Sequence, residues 1–100
     1  MAQCIPLSRE MLKDPIDVHV PDEPLDFSRA RAIADQRARE EAAEPMLLAW
    51  YNRSTGEFSP PVTCRDDVRP TWLIYAESRG GDLVIDINQE AYVFVYCRLS

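Results

Sequence analysis

The chain has 100 residues, a hydrophobic fraction of 46% and a formal net charge of −6. This length predicts one domain with a thin core, and no apolar run is long enough to predict a transmembrane helix or a membrane partner. The negative charge argues against nucleic acid as a partner, because nonspecific binding needs Lys and Arg side chains that neutralise phosphates. The first residues lack the pattern of a signal peptide, so we expect a cytoplasmic protein.

Residues 1–24 contain four prolines, which disfavour a regular helix. Within this segment, residues 16–20 alternate apolar and polar side chains, and this pattern predicts a short strand. Prolines on both sides of the stretch favour an edge position in a sheet. We therefore expect a proline-rich N-terminal segment over residues 1–24, with one edge strand at most, and a single α+β domain over residues 25–100.

Residues 26–44 have the pattern of a helix. Asp26 is a candidate N-cap, and Pro45 ends the segment. The apolar residues at helical spacing form a narrow stripe that is rich in alanine, so this helix can lie close to a sheet. The residues of the stripe are Phe27, Ala30, Ile33, Ala34 and Ala38.

Two strands are predicted after this helix. Residues 46–51 are apolar on both sides, and residues 52–56 have the composition of a turn in which Gly56 adopts a positive φ. Residues 57–62 predict a short returning strand, which Pro60 and Pro61 end. Residues 63–70 are polar and predict a loop.

Residues 71–99 predict three strands joined by tight turns. Gly80 and Gly81 lie between apolar runs, as they do in a two-residue hairpin loop, because such loops need positive φ. Side chains of a strand alternate in direction, so this register assigns each residue to a face of the hairpin. Four polar side chains then share one face: Tyr75, Glu77, Asp82 and Asp86.

The second turn, around residues 88–90, leaves the register of the last strand open. A two-residue loop would place Tyr92, Phe94 and Tyr96 on the apolar face, whereas a three-residue loop would place residues 93, 95 and 97 there. We favour the aromatic residues, because a short chain needs their volume. The last strand is apolar on both sides and needs cover on both faces. A helix is one cover, and the N-terminal segment or a second copy of the protein is the other.

These elements predict an α+β fold, in which one main helix packs on a mostly antiparallel sheet with a C-terminal three-stranded meander. Residues 45–59, PMLLAWYNRSTGEFS, and residues 72–96, WLIYAESRGGDLVIDINQEAYVFVY, also resemble a small prokaryotic domain family of unknown function. The stretches LLAWY and AESRGG carry this resemblance. It implies a compact α+β domain and no catalytic residue.

The sequence predicts no metal site and no cofactor. His19, Cys64, Asp66 and Asp67 are residue types that bind metals, but the paired spacing of a tight zinc site is absent. The three cysteines, at positions 4, 64 and 97, are odd in number and irregularly spaced. We therefore expect no disulfide framework.

The first functional hypothesis is a noncatalytic module that self-associates, as a homodimer, and binds a protein or a small molecule. Strands that are apolar on both sides favour it, in a chain without a catalytic constellation. Aromatic and apolar residues of these strands are the candidate interface: Trp50, Tyr51, Val84 and Val95.

The alternative is a small enzyme or a small-molecule-binding protein that uses the polar face of the first hairpin. Glu77 could act there as a general acid or base if it were buried beside apolar neighbours. The ligand-binding residues would be Tyr75, Glu77, Asp82 and Asp86. The residues indicate no catalytic set, so we favour the noncatalytic module.

Overall fold

The computed structural model describes residues 7–21, 25–61 and 69–98. These residues contain a short 3₁₀ helix (Arg9–Met11), two α-helices and five strands. In chain order the elements are β1 (Ile16–Val18), α1 (Phe27–Glu41), β2 (Pro45–Asn52), β3 (Glu57–Ser59), α2 (Thr71–Ser78), β4 (Leu83–Ile87) and β5 (Tyr92–Arg98). The strands form one sheet in the order β1-β4-β5-β2-β3, and the β1–β4 pair alone is parallel among them. The predicted α+β fold with a mostly antiparallel sheet is confirmed.

Helix α1 covers one side of the sheet, which we call the first face. The Asp26 side chain caps the helix by accepting a hydrogen bond from the backbone N–H of Arg29, with an N···O distance of 2.8 Å. Ala30, Ala34 and Ala38 are fully buried, so the predicted alanine stripe lies directly on the strands.

The register of β5 is the one that the volume argument favours. Tyr92, Phe94 and Tyr96 lie opposite the apolar residues of β4 and belong to the core beneath α1. The Tyr96 hydroxyl donates a hydrogen bond of 2.6 Å to Asp35 of α1, which ties the helix to the centre of the sheet.

The opposite side of the sheet, the second face, is also covered by the chain itself. Helix α2 and residues 7–12 pack on it and bury the valines of β4 and β5. The rings of Tyr51 and Trp72 are stacked there, with centroids 5.5 Å apart. Of the two covers that the sequence left open, the N-terminal segment is therefore the one observed, and α2 adds to it.

The predicted first strand of the C-terminal meander is wrong, because residues 71–78 form α2. Trp72, Leu73 and Ala76 are buried, and this spacing belongs to one face of a helix. Trp, Ile and Tyr favour strands by propensity, but packing on the second face overrides that preference. The other two strands of the meander, β4 and β5, form the predicted antiparallel hairpin.

Gly80 and Gly81 end α2, and the predicted hairpin at these residues is also wrong. Gly80 has a φ of +83°, and its N–H donates to the Glu77 carbonyl at 3.2 Å, while the Gly81 N–H donates to the Ala76 carbonyl at 2.9 Å. These two bonds form a Schellman motif. A Cβ on Gly81 would lie 2.8 Å from the Ala76 oxygen and from Val95 Cγ1, so a side chain has no room there.

The two edges of the sheet are short. β1, predicted within residues 16–20, lies parallel to β4, with Ile16 opposite Ile85. β3 follows the predicted turn, in which Gly56 has a φ of +77°, and pairs with residues 50–52 of β2. Within the described ranges, no strand lies beside residues 45–49 on the outer side of β2.

Candidate functional site

The loop between β4 and β5, residues 88–91, has an unusual backbone. Asn88, Gln89 and Glu90 have φ values of 53°, 56° and 65°, so three successive residues other than glycine are left-handed. Each such residue costs roughly 1–2 kcal/mol, and strain of this kind persists where the surroundings hold it in place. Because such strain clusters at functional sites, the β4–β5 loop is a candidate for one.

Side chains from several elements hold the β4–β5 loop. The Asn88 amide bonds the backbone N–H and carbonyl of Val20, with distances of 2.8 and 3.1 Å. The Glu90 N–H donates to Asp86 Oδ1 at 2.6 Å, and Arg53 Nε donates to the Glu90 carbonyl at 3.1 Å. The loop is thus fixed from the N-terminal segment, from β4 and from the β2–β3 turn.

Beneath the loop, three acids meet one arginine, and we call them the carboxyl cluster: Asp17, Asp86 and Glu90 around Arg9. The Arg9 guanidinium donates to both carboxylate oxygens of Asp17, at 2.5 and 2.7 Å, and to Asp86 Oδ2 at 2.9 Å. Its Nη1 atom lies 3.6 Å from Glu90 Oε2. The 3₁₀ helix therefore docks on the sheet through a single cation that several acids share.

Asp86 is the central acid of this cluster. Its side chain is completely buried on the second face, in a strand that is otherwise apolar. The pKa of Asp86 is raised to about 7, first by burial and then by the neighbouring Glu90 side chain, while the Glu90 N–H and Arg9 act in the opposite direction. This acid therefore changes its charge near neutral pH.

A cavity of about 300 Å³ lies against the outer side of the loop. Arg53 stands in its wall, and the Arg53 guanidinium is oriented by two main-chain carbonyls, those of Glu90 and Leu7 at 3.1 and 3.0 Å. Within the described ranges, no carboxylate pairs with Arg53, and its Nη1 atom makes no hydrogen bond. The remaining lining combines apolar and polar groups: Leu25, Ser54, Asn88, Ala91 and Tyr92.

The four predicted ligand-binding residues do not share one face, because the hairpin that would align them is absent. Tyr75 and Glu77 lie on α2, where the Arg79 guanidinium sits 3.8 Å from the centroid of the Tyr75 ring and Glu77 pairs with Arg69. Glu77 does lie near Asp82, in a groove of about 430 Å³ at the end of α2. Asp86 is buried in β4, in the carboxyl cluster.

The four predicted interface residues lie within the two cores. Val84 and Val95 are buried on the second face, beneath α2 and residues 7–12. Tyr51 is partly buried in the stack with Trp72, and the Trp50 ring lies 4.5 Å from the Phe27 ring on the first face. These residues stabilise the fold. Most of the apolar strand surface that favoured self-association is buried within the chain itself.

Cys64, Asp66 and Asp67, three of the four metal-binding residue types considered in the sequence, lie outside the described residues. His19 is exposed, and in the part of the chain that the structure describes no three His, Cys, Asp or Glu side chains are arranged so that they could hold a metal ion. Cys97 is buried and free. Across the same described residues, no helix is long and apolar enough to cross a membrane.

Sequence reasoning missed Arg9, Arg53, Asn88 and Glu90. A signal for the carboxyl cluster does exist in the stretch LVIDI, where one acid interrupts a run of apolar residues that has the pattern of a buried strand. No comparable signal marks Arg9 or Arg53, because their partners are distant in sequence.

Comparison with known proteins gives a family and a structural relative. The family model described as Domain of unknown function (DUF5619) matches residues 13–96. The crystal structure of a novel protein, AF1514 from Archeoglobus fulgidus DSM 4304, is similar to this chain with a TM-score of 0.75 and 27% sequence identity. The match covers 89% of this chain and 98% of that one. No curated protein matches the chain.

Proposed function

The chain belongs to the DUF5619 family of domains of unknown function, and we propose that it is a noncatalytic module that binds a small organic anion beside the β4–β5 loop. The observation that carries this proposal is Arg53. Its guanidinium is held by two carbonyls, has no carboxylate partner in the described residues, and stands in the wall of the 300 Å³ cavity.

The chemistry of the cavity favours an anion with an apolar body. A guanidinium presents a planar fork that matches a carboxylate, and its fixed orientation here lowers the cost of ordering it on binding. Leu25, Ala91 and the Tyr92 ring supply apolar wall, and the volume is at the lower end of the range for small-molecule sites. The ligand class that fits is therefore a small carboxylate with an aromatic or aliphatic body.

The position of the carboxyl cluster supports a binding role over a catalytic one. A general acid or base must come within hydrogen-bond reach of its substrate. Asp86 is fully buried, faces Arg9 and does not line the cavity. The enzymatic alternative needed Tyr75, Glu77 and Asp82 on one face with Asp86, but the first two lie on α2, whereas Asp86 is buried in β4.

The test uses benzoate as the probe and benzamide as its neutral counterpart. In amide NMR spectra, benzoate should produce saturable shifts at residues 53, 54, 88, 91 and 92, and benzamide should bind far more weakly. Arg53→Gln should reduce benzoate affinity at least about tenfold, as expected for one lost charge-assisted bond. Arg31→Gln, which removes an exposed arginine of α1, should leave the affinity unchanged. Equal binding of benzoate and benzamide, or shifts elsewhere, would contradict the proposal.

We propose self-association as a second function, on a different observation. Residues 45–49 of β2 have no neighbouring strand on their outer side within the described ranges, and Met46 is 44% exposed there. An unpaired strand edge can pair with the same edge of a second copy across a twofold axis, which extends the sheet.

The mass of the protein in solution, measured by light scattering over a range of micromolar concentrations, tests this second proposal. A mass that rises towards that of a dimer is expected. Met46→Glu should weaken the dimer, because it places a charge on the paired edge, whereas Gln36→Glu makes a similar charge change on exposed α1 and should not. A monomer throughout the range would remove self-association and leave the anion site untouched.

A further inference from the structure

The carboxyl cluster has more negative charge than its cation can balance. Asp17, Asp86 and Glu90 all lie within 3.6 Å of Arg9 Nη1. The Asp17 side chain is 64% exposed, so water screens its charge, but the side chains of Asp86 and Glu90 are only 0% and 14% exposed. If both of these acids were ionised, their two charges would share one cation that also pairs with Asp17. Buried charges without partners are costly, so the cluster is stabilised if one of the acids keeps a proton.

The contacts indicate which acids share that proton. Glu90 Oε2 is buried and accepts no hydrogen bond from any described residue. Asp86 already accepts bonds from Arg9 and from the Glu90 N–H. The raised pKa of Asp86, about 7, has burial as its first cause and the Glu90 side chain as its second. Glu90 Oε2 has only the ion pair with Arg9 at 3.6 Å, and a proton between the two carboxyl groups would give it a hydrogen bond as well.

We propose that Asp86 and Glu90 form a proton-operated latch, which holds the β4–β5 loop closed while they share a proton and releases it when that proton passes to solvent. Once both groups are ionised they repel each other, and only Glu90 can move. Asp86 is fixed in β4 between β1 and β5, whereas Glu90 lies in the loop at a left-handed position.

Charged groups from each neighbouring element face the latch. Arg9 comes from the 3₁₀ helix, Asp17 from β1 directly opposite Asp86, and Arg53 from the β2–β3 turn. The β5 residue opposite Asp86 is Val93, which has no charge. Arg9 and Asp17 keep their mutual bonds in either state, so the movement is confined to the loop.

Release of the loop would also change the anion cavity. Arg53 Nε donates to the Glu90 carbonyl, and Asn88 and Ala91 line the cavity on either side of Glu90. Loss of the proton therefore loosens the wall that orients Arg53. This last step rests on the proposed function, while the latch itself does not.

The test is a pH titration of the protein without ligand, followed by ¹³C NMR of the Asp86 and Glu90 carboxyl groups and by amide NMR of residues 88–91. We expect the Asp86 carboxyl group to titrate near pH 7, and the Glu90 carboxyl signal, the loop amides and the Arg53 Nε–H signal to shift with the same midpoint. An Asp86 carboxyl group that is already ionised at about pH 5 would overturn the latch. So would loop signals that do not follow the titration of Asp86.

Two variants make the test specific. Glu90→Gln keeps a hydrogen-bond donor beside Asp86 at every pH, so its loop signals should stay at the closed position across the titration. Glu57→Gln removes an exposed acid of β3 and should keep the wild-type midpoint. A wild-type loop titration in Glu90→Gln would overturn the proposal. If that variant does not fold, the carboxyl titration of the unmodified protein decides. Since no ligand is present, failed benzoate binding does not affect this result.

Discussion

The two faces of the sheet are built in different ways from the same strands. The first face is covered by one fifteen-residue helix, whose buried positions are alanines packed on aromatic residues. The second is covered by an eight-residue helix together with residues 7–12, and it contains the buried Asp86. On the first face the strands carry large aromatic side chains, so one helix with small buried side chains completes the core. On the second face the strands carry valines, and the large side chains come from the shorter segments that cover them.

Removal of one large side chain from each face should have the largest effect. Trp72→Ala on the second face and Phe94→Ala on the first should each lower the free energy of unfolding by roughly 3–5 kcal/mol, because both rings are fully buried. Urea unfolding followed by circular dichroism measures both losses. If the faces are one cooperative core, hydrogen exchange at β4 and β5 should rise in both variants. Exchange that rises in Trp72→Ala only at α2 would make the second face a separate unit.

The free energy of unfolding should depend on pH through Asp86, which is buried on the second face. Asp86 has an ordinary pKa of 3.8 when unfolded and about 7 when folded, so the folded chain holds its proton more tightly. Its contribution to the free energy of unfolding therefore falls as pH rises from about 4 to about 7, by a few kcal/mol at most.

The variant Asp86→Asn should remove this fall, as measured by urea unfolding at a series of pH values. The matched change Asp82→Asn, at an exposed acid just before β4, should preserve it. An unchanged pH dependence in Asp86→Asn would show that another group controls it.

The tight fit of α1 on the first face should make added volume harmful. Ala34→Leu should cost roughly 1–3 kcal/mol, because Ala34 is fully buried between the helix and the strands. Ala32→Leu adds the same atoms on the exposed side of the same helix and should change stability by less than about 0.5 kcal/mol. Thermal unfolding distinguishes them, and equal effects would mean that α1 does not lie close to the sheet.

A smaller effect is expected at the end of the second-face helix. Gly80→Ala should cost roughly 1–2 kcal/mol, since Gly80 has a φ of +83° and open space around it, so only the backbone conformation opposes a side chain. Gln36→Ala, at an exposed position of α1, is the control. A loss in Gln36→Ala as large as that in Gly80→Ala would show that the left-handed position is not the cause.

Sequence patterns predicted the first face well and the second face poorly. The alanine stripe repeats at helical spacing over residues 27–38, and acids and arginines occupy the other side, so the pattern is that of a helix alone. The stretch TWLIYAES is too short to show a period and is rich in strand-favouring residues. The glycine pair after it fits a hairpin and a helix end equally well by local rules, and the burial of Trp72, Leu73 and Ala76 on the second face decides between them.

The candidate site could be predicted only in part for a related reason. Asp86 stands out in the sequence because an acid in a buried strand needs a partner. The partner, Arg9, comes from a segment with no recognisable pattern, and Arg53 is oriented by backbone carbonyls, which every residue has. Such contacts depend on tertiary structure, and single-sequence patterns do not contain them.

The order of strands in the sheet has a consequence for how the chain folds. β5 lies at the centre of the sheet, paired with β2 and β4. β1 pairs with β4 through residues that are far apart in sequence, such as Ile16 and Ile85, so β1 has no partner until β4 has been synthesised. During synthesis, α1, β2 and β3 therefore emerge with their apolar surfaces uncovered, and neither core can close until β5 has left the ribosome. Folding of this domain should thus follow translation of its last strand as one late, long-range event.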